Sequence, residues 1–342
     1  MELFTKVATP EASFKIDYTK NLAFFGSCFA DNISAQFSAR KFNVLANPFG
    51  TVYNPLSIAR QLRGIAGGKT FSDSDVFQDE RCDKLWHSFD AHSSLSAPTR
   101  EECIEKLNAE SAQALGFLQK ALGFLQKADV AFITLGTAFV YFLKSTGEPV
   151  ANCHRQDSTL FERRMVPVDE AANAIRDIVE SLNKIRPGIH TVFTVSPLRH
   201  MGDGAHGNSL SKATLLLAVN EIVKSESNGV ASPATYFPSY EIVMDELRDY
   251  RFYDSDMVHL SKTAEEYIFE RMVNTYCDET THTDIGRIEK FLKGAHHRIA
   301  DPQSPESIAF AKRNCALALE LEQAIPGVNL DKERQYFEKM GI

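Results

Sequence analysis

The chain has 342 residues, 44% of them hydrophobic, and its 45 Asp and Glu outnumber 37 Lys and Arg to give a formal net charge of −8. That length holds one large α/β domain or two modest ones with a buried core. The acidic balance excludes a broad nucleic-acid or anionic-membrane footprint, which needs clustered Lys and Arg. The apolar content excludes a disordered chain. Six cysteines (28, 82, 103, 153, 277 and 315) form no Cys-x-x-Cys pair and read as free thiols of a reducing compartment. Residues 1–20 lack the basic start and apolar stretch of a leader, and no apolar run is long enough to span a bilayer. A cytoplasmic protein with neither membrane nor nucleic-acid partner is expected; its oligomeric state stays open.

In chain order, Asn21 to Phe25 is an apolar run that stops at Gly26, as a buried strand does. Phe29, Ile33 and Phe37 then recur at four-residue spacing, which predicts a helix starting near Cys28. Ala114 to Lys120 is repeated without change at 121–127. Seven residues are almost two helical turns, so the duplication lengthens a helix while nearly preserving its apolar face. Ala128 to Tyr141 reads as a second strand and Ile189 to Val195 as a third. Between them, apolar residues at 171, 172, 175, 178, 179, 182 and 185 predict a helix over Val168 to Ile185. Further helices are predicted over Leu210 to Val223 and over Ser261 to Tyr276, with Ser261 as N-cap. After Cys277 only helical segments follow, Ile285 to Leu292 and Ser304 to Ile325. Strands alternating with helices predict an α/β fold with a parallel sheet. The expected division is a sheet domain over 1–277 and a helical extension packed on it over 278–342.

Two constellations could carry chemistry. In Gly26-Ser27-Cys28, a nucleophile at a sharp strand-to-helix turn is lifted to the carboxyl edge of the sheet, and the helix N-terminus is expected to lower its thiol pKa. In Asp254-Ser-Asp256-Met-Val-His259, a histidine three residues after an aspartate can act as base while the carboxylate fixes its tautomer. Arg199 and His200, at the end of a strand, could hold an anionic part of a substrate. Asp90 and His92 near Trp86 read as a structural loop. His296-His297-Arg298 lacks the spacing of a metal site, and no metal ligand set is expected.

Gly26-Ser-Cys-Phe-Ala30 together with the late Asp256-Met-Val-His259 resembles the GSCFA family, a branch of the SGNH (GDSL-type) hydrolases. Asn47-Pro-Phe-Gly50-Thr-Val-Tyr-Asn54-Pro55, Thr134-Leu-Gly136-Thr137-Ala138 and Thr194-Val-Ser-Pro-Leu-Arg199-His200 are further family-like segments, and the likeness covers roughly residues 20 to 276. The resemblance implies a three-layer α/β/α flavodoxin-like fold and an esterase or O-acyltransferase acting on a small ester or an acylated carbohydrate. It implies no resident cofactor; an acyl donor such as acetyl-CoA enters only in the transferase version. Cys28 falls in the nucleophile slot of the superfamily, with Ser27 one residue earlier as the alternative. His259 is then the base, Asp256 its orienting partner and Asp254 a second choice. The superfamily's oxyanion hole uses the nucleophile's N–H, a Gly N–H and an Asn side chain. Gly50 matches the Gly, but Ala138 stands where the Asn is expected, leaving Asn47, Asn54, Thr137 and Asn152 as replacements. The competing reading is a catalytically inactive flavodoxin-like module that binds a carbohydrate or nucleotide in the same crevice.

Overall fold

The computed structural model describes residues 5–79, 84–111, 120–226, 234–295 and 301–339. Cys82, His296 to Arg298 and most of the first copy of the tandem repeat lie outside them. Chain order is β1 (Asn21–Gly26), α1 (Cys28–Ala39), β2 (Asn43–Ala46), α2 (Pro55–Gly67), β3 (Phe77–Gln78), β4 (Trp86–His87), α3 (Arg100–Ser111), α4 (Lys120–Leu125), β5 (Val130–Leu135) and β6 (Phe139–Leu143). There follow β7 (Phe161–Met165), α5 (Val168–Ile185), β8 (His190–Val195), α6 (Gly204–Glu226), β9 (Ala234–Tyr236), a single turn α7 (Ser239–Glu241), α8 (Lys262–Tyr276), α9 (Glu279–Ala295), α10 (Pro305–Ala324) and α11 (Asp331–Glu338).

Five strands form one sheet in the order β2-β1-β5-β8-β9, with β1, β5, β8 and β9 running parallel. Successive side chains of a strand face opposite ways, and here both sets are buried. Ala23 and Phe25 of β1, Ala131 and Ile133 of β5 and Phe193 of β8 share one core with Ile58 and Leu62 of α2, Ile175 and Ile178 of α5 and Leu215 and Val219 of α6. Leu22, Phe24, Phe132 and Val192, on the other face, are equally shielded, and the Phe24 and Phe132 rings stack at 4.8 Å. A sheet buried on both faces needs a helical layer on each side, which gives the expected three-layer α/β architecture. Each fully buried Phe, Leu or Ile contributes about 1.5–3 kcal/mol.

In sheet order the strands read 2-1-3-4-5, so chain direction across the sheet reverses between β1 and β5. A crevice opens at that reversal, outside the carboxyl ends of the strands. Gly26 ends β1 there at φ 133°, and a Cβ on it would stand 2.0 Å from the Thr134 carbonyl oxygen of β5, so only glycine lets the strands close up at this point.

The strand expected from 128 to 141 is two strands in different sheets. The N–H groups of Gly136 and Thr137 both donate to the Tyr53 carbonyl, at 2.7 and 2.9 Å, and draw the chain out of the main sheet. It then forms β6, which pairs antiparallel with β7. The helix expected over Val168 to Ile185 is α5, and that over 210 to 223 lies inside the longer α6.

The described chain divides into two compact units. The first comprises Met1–Pro10, Asn21–Ser34 and Leu45–Ile268; the second comprises Glu11–Lys20, Ala35–Val44 and Phe269–Ile342. Within the second unit the Tyr18 ring stacks on Phe42 at 4.3 Å, and Phe37 meets Phe42 and Phe269 edge-on. The Arg40 guanidinium lies over Phe269 and binds Glu289 at 2.6 Å, while Lys41 binds Glu333 at 2.5 Å. Residues 11–20 and 35–44 thus complete an aromatic and ionic cluster with α9 and α11 that a boundary drawn at Cys277 leaves out.

Candidate active site

A cleft of about 210 Å³ lies at the carboxyl edge of the sheet in the first unit. Ser27 and Cys28 enter it from the β1–α1 turn, Tyr53 and Gly136 from the two chains joined by the Tyr53 carbonyl. Ser196, Arg199 and His200 line it from the segment after β8, and Val258 and His259 from the loop before α8. Residues more than 230 positions apart in sequence therefore share one space.

The loop carrying His259 is closed by a bridge between Tyr253 and Leu260 and by the Asp254 N–H, which donates to the His259 carbonyl at 2.8 Å. Met257 sits in the left-handed region at φ 59°, which turns the chain back so that Asp256 faces His259. One Asp256 oxygen accepts from the N–H groups of Val258 and His259 at 2.9 and 2.8 Å. The other lies 2.5 Å from His259 Nδ1. A carboxylate only accepts, so Nδ1 carries the proton and Nε2 is left as the basic nitrogen. The His259 side chain first, then the two backbone donors, hold the Asp256 carboxyl down at about 2, so it stays ionised at any working pH. Asp254 bonds the backbone of Ser255 and does not engage the His259 ring. Both members of the pair are half-exposed.

Cys28 is half-buried at the first position of α1. Contrary to the expectation from the helix N-terminus, its thiol pKa is raised. Burial is the main cause and the Asp31 carboxylate the next; the Phe29 and Cys28 N–H groups and Lys212 pull the other way without prevailing. Asp31 is held in place by Asn47 Nδ2 at 2.7 Å and the Thr51 hydroxyl at 2.9 Å. Ser27 is only 2% exposed, and its hydroxyl has no hydrogen-bond partner among the described residues.

The donors expected at the oxyanion are committed elsewhere. The Gly50 N–H donates to the Asn47 carbonyl at 2.7 Å, and the Gly50 Cα packs against His92. Asn47 spends its amide on Gly26, accepting from its N–H at 2.8 Å and donating to its carbonyl at 3.1 Å, besides its bond to Asp31. Asn54 caps α2 by accepting from the Ser57 N–H. The Thr137 hydroxyl faces Ser211 and the Phe139 N–H, and Asn152 accepts from the His154 N–H. None of these five lines the cleft. They shape turns around it, as Asn, Thr and Gly commonly do.

Arg199 and His200 do reach the cleft. Asp203, four residues after Arg199, pairs with Arg163, and among the described residues no carboxylate lies within ion-pair distance of Arg199, whose guanidinium meets Met244 Sδ. The His200 ring packs edge-on against Tyr53 at 5.5 Å, and burial, with the charge of Lys212, holds its pKa down.

Among the polar side chains at and behind the cleft, Tyr53, Ser196 and Lys212 are not singled out by the sequence. The last carried a legible signal. Lys212 lies three residues before Leu215, in step with Ala218, Val219 and Ile222, so a lysine stands on the buried stripe of α6.

Comparison with known proteins places the chain in a family. The model of the GSCFA family matches residues 21–272, and the chain belongs to that family. No curated protein matches. Among solved structures, a carbohydrate esterase family 3 protein from Talaromyces cellulolyticus is similar over 79% of this chain and 99% of its own, at 12% identity and a TM-score of 0.32.

Proposed function

We propose that this member of the GSCFA family is an ester hydrolase or O-acyltransferase that passes an acyl group through Cys28, with a small ester or an acylated carbohydrate as substrate. The observation that carries the reading is the shared cleft. A thiol at a strand-to-helix turn faces the same small space as a histidine whose tautomer is set by a carboxylate.

The chemistry follows from the groups present. His259 Nε2 takes the Cys28 proton as the sulfur attacks the ester carbonyl carbon. The oxyanion that forms meets the Cys28 N–H at the open first turn of α1, where the helix dipole favours negative charge. Collapse breaks the bond to the leaving alkoxide, which takes the proton back from His259. Water, or an acceptor hydroxyl in the transfer version, then gives its proton to His259 and attacks the thioester. The thiol leaves with that proton and the cycle closes. Because the thiol pKa is raised, little thiolate stands ready at neutral pH, and deprotonation by His259 belongs to the reaction itself. Arg199 and His200 line the cleft with polar groups, which suits an alcohol rich in hydroxyls. A cleft of about 210 Å³ suits a short acyl group.

The test is acylation by p-nitrophenyl acetate followed by peptide mass spectrometry. The adduct is expected on Cys28 and absent in His259→Ala. No adduct and no turnover at any pH from about 6 to 9, where imidazole and thiol titrate, sinks the reading and leaves the binding module. Label on Ser27 moves the nucleophile to that hydroxyl.

A further inference from the structure

Lys212 lies on the buried stripe of α6 and is only 1% exposed. Its Nζ donates to two main-chain carbonyls, Gly136 O and Ser196 O, each at 2.6 Å. These carbonyls end the β5 and β8 segments, and both residues line the cleft. Among the described residues no carboxylate pairs with this ammonium. A buried charge is costly without an opposite one, and carbonyl dipoles meet that cost only in part. An ammonium has three N–H donors and two are used here. The titratable and charged groups that act on Lys212 are Cys28 from the β1–α1 turn and Arg199 and His200 from the segment after β8. Of these, only Cys28 can become an anion.

We infer that Lys212 is a positioning residue of the Cys28 centre: its ammonium ties the two strand ends together behind the cleft and is the built-in counter-charge of the Cys28 thiolate. The electrostatics run the same way in both directions. Burial, with Arg199, brings Lys212 down to about 7, and Cys28 opposes that fall; reciprocally, Lys212 opposes the rise of the Cys28 thiol. Two groups coupled in this way lose a proton as a pair. The thiolate that forms as His259 takes the Cys28 proton is the species the Lys212 ammonium faces. His259 serves proton transfer at the substrate, whereas Lys212 never touches the substrate and acts through the sulfur and the two carbonyls.

The inference rests on Cys28 as the nucleophile of the proposed reaction, but its test needs no turnover. The rate of Cys28 alkylation by iodoacetamide, followed by peptide mass spectrometry from about pH 6 to 10.5, reports thiolate directly. In Lys212→Met the rate at pH 6.5, where the parent's Lys212 still carries its charge, is expected to fall about fivefold, with the loss shrinking above pH 8 as Lys212 itself loses its proton, and Lys212→Arg, which keeps the charge, recovers the rate. A Lys212→Met profile that overlays the parent's overturns the inference and leaves Lys212 a structural tie. Should that variant fail to fold, lysines labelled with carbon-13 at Cε and followed by NMR in the parent and in Cys28→Ala decide the matter. With no thiolate to face, Lys212 is expected to titrate lower in Cys28→Ala, and an unchanged midpoint overturns the inference. Normal Lys212 dependence of alkylation in a chain that never acylates would break the proposed function and spare this pairing.

Discussion

Two cavities of the first unit differ in the opposite sense to their size. The larger, about 490 Å³, is lined by Phe49, Arg60, Arg63, Lys69, Asp90 and Glu148 among others. Its charges are spent on one another. Asp90 binds Arg60 at 2.5 Å and Lys69 at 2.6 Å, Glu148 takes the far side of Arg60, Asp75 takes Lys69, and Arg63 binds Asp177. Among the described residues, the smaller cavity holds a buried hydroxyl without a partner, a guanidinium without a carboxylate, a thiol and a histidine with one nitrogen to offer. Two lysines condense the contrast. Burial alone would lower Lys69, but Asp90 and Asp75 outweigh it and raise its pKa, whereas Lys212, with only carbonyls to bind, falls to about 7. Polar groups left unspent by the fold, rather than volume, make the smaller cavity the candidate site.

Three measurements sharpen or break this contrast. The largest effect is expected in the smaller cavity. Asp256→Asn leaves the loop intact but no longer fixes the His259 tautomer, so ester turnover should drop about a thousandfold with the melting temperature unchanged. A drop of less than about threefold would strip the dyad of its role.

The next effect is an acid sensitivity on the far side, next to Asp90. His154 Nε2 donates to the Ser88 and Ala91 carbonyls, at 2.8 and 3.1 Å, and its Nδ1 is buried without an acceptor, so a second proton has nowhere to bond. Burial accordingly holds His154 down at about 4. An unfolded histidine binds its proton near 6.5, so the unfolded state takes up more protons between those values. This stabilisation is complete above about 6.5 and is lost as pH falls toward 4, on the order of 3 kcal/mol in total. Denaturant unfolding at pH 7 and pH 4.5 should show His154→Asn losing less stability on acidification than the parent. Equal losses would remove the buried neutral histidine from the picture.

The smallest effect is expected from the larger cavity itself. Asp90→Asn unties Arg60 and Lys69, which are still partly solvated and keep Glu148 and Asp75, so urea unfolding should show a loss of about 2 kcal/mol. Ester turnover should stay within about threefold, because the cavity is a structural network. A tenfold loss of turnover would join the two cavities and end the contrast between them.

Legibility followed length and periodicity. α5 carries an unbroken stripe over eighteen residues, and its expected limits are those observed. β2 and β9, of four and three residues, offer too little alternation to read, yet they form the two edges of the sheet. The site divided the same way. Cys28 and His259 were readable because each sits at a junction with a helix, in a pattern with a chemical reason. Gly50, Asn47, Asn54, Thr137 and Asn152 have donors that could serve an oxyanion. Their partners, Gly26, Asp31, Ser57, Ser211 and His154, come from turns and packing that no local pattern reveals.

By itself the sequence determined the alternation of strands and helices, the GSCFA motif and the two short segments that carry Cys28 and the Asp256–His259 pair, since each is written in residues a few positions apart. Only the tertiary structure decided that those segments share one cleft, that Cys28 is raised by burial and Asp31 rather than lowered by its helix, and that a lysine closes the back of the site. These outcomes depend on which atoms are taken from water and which partners they meet there. Desolvation and pairing are properties of the folded space around a group, and residues nearly two hundred positions apart, such as Cys28 and Lys212, acquire them only when the sheet brings them together.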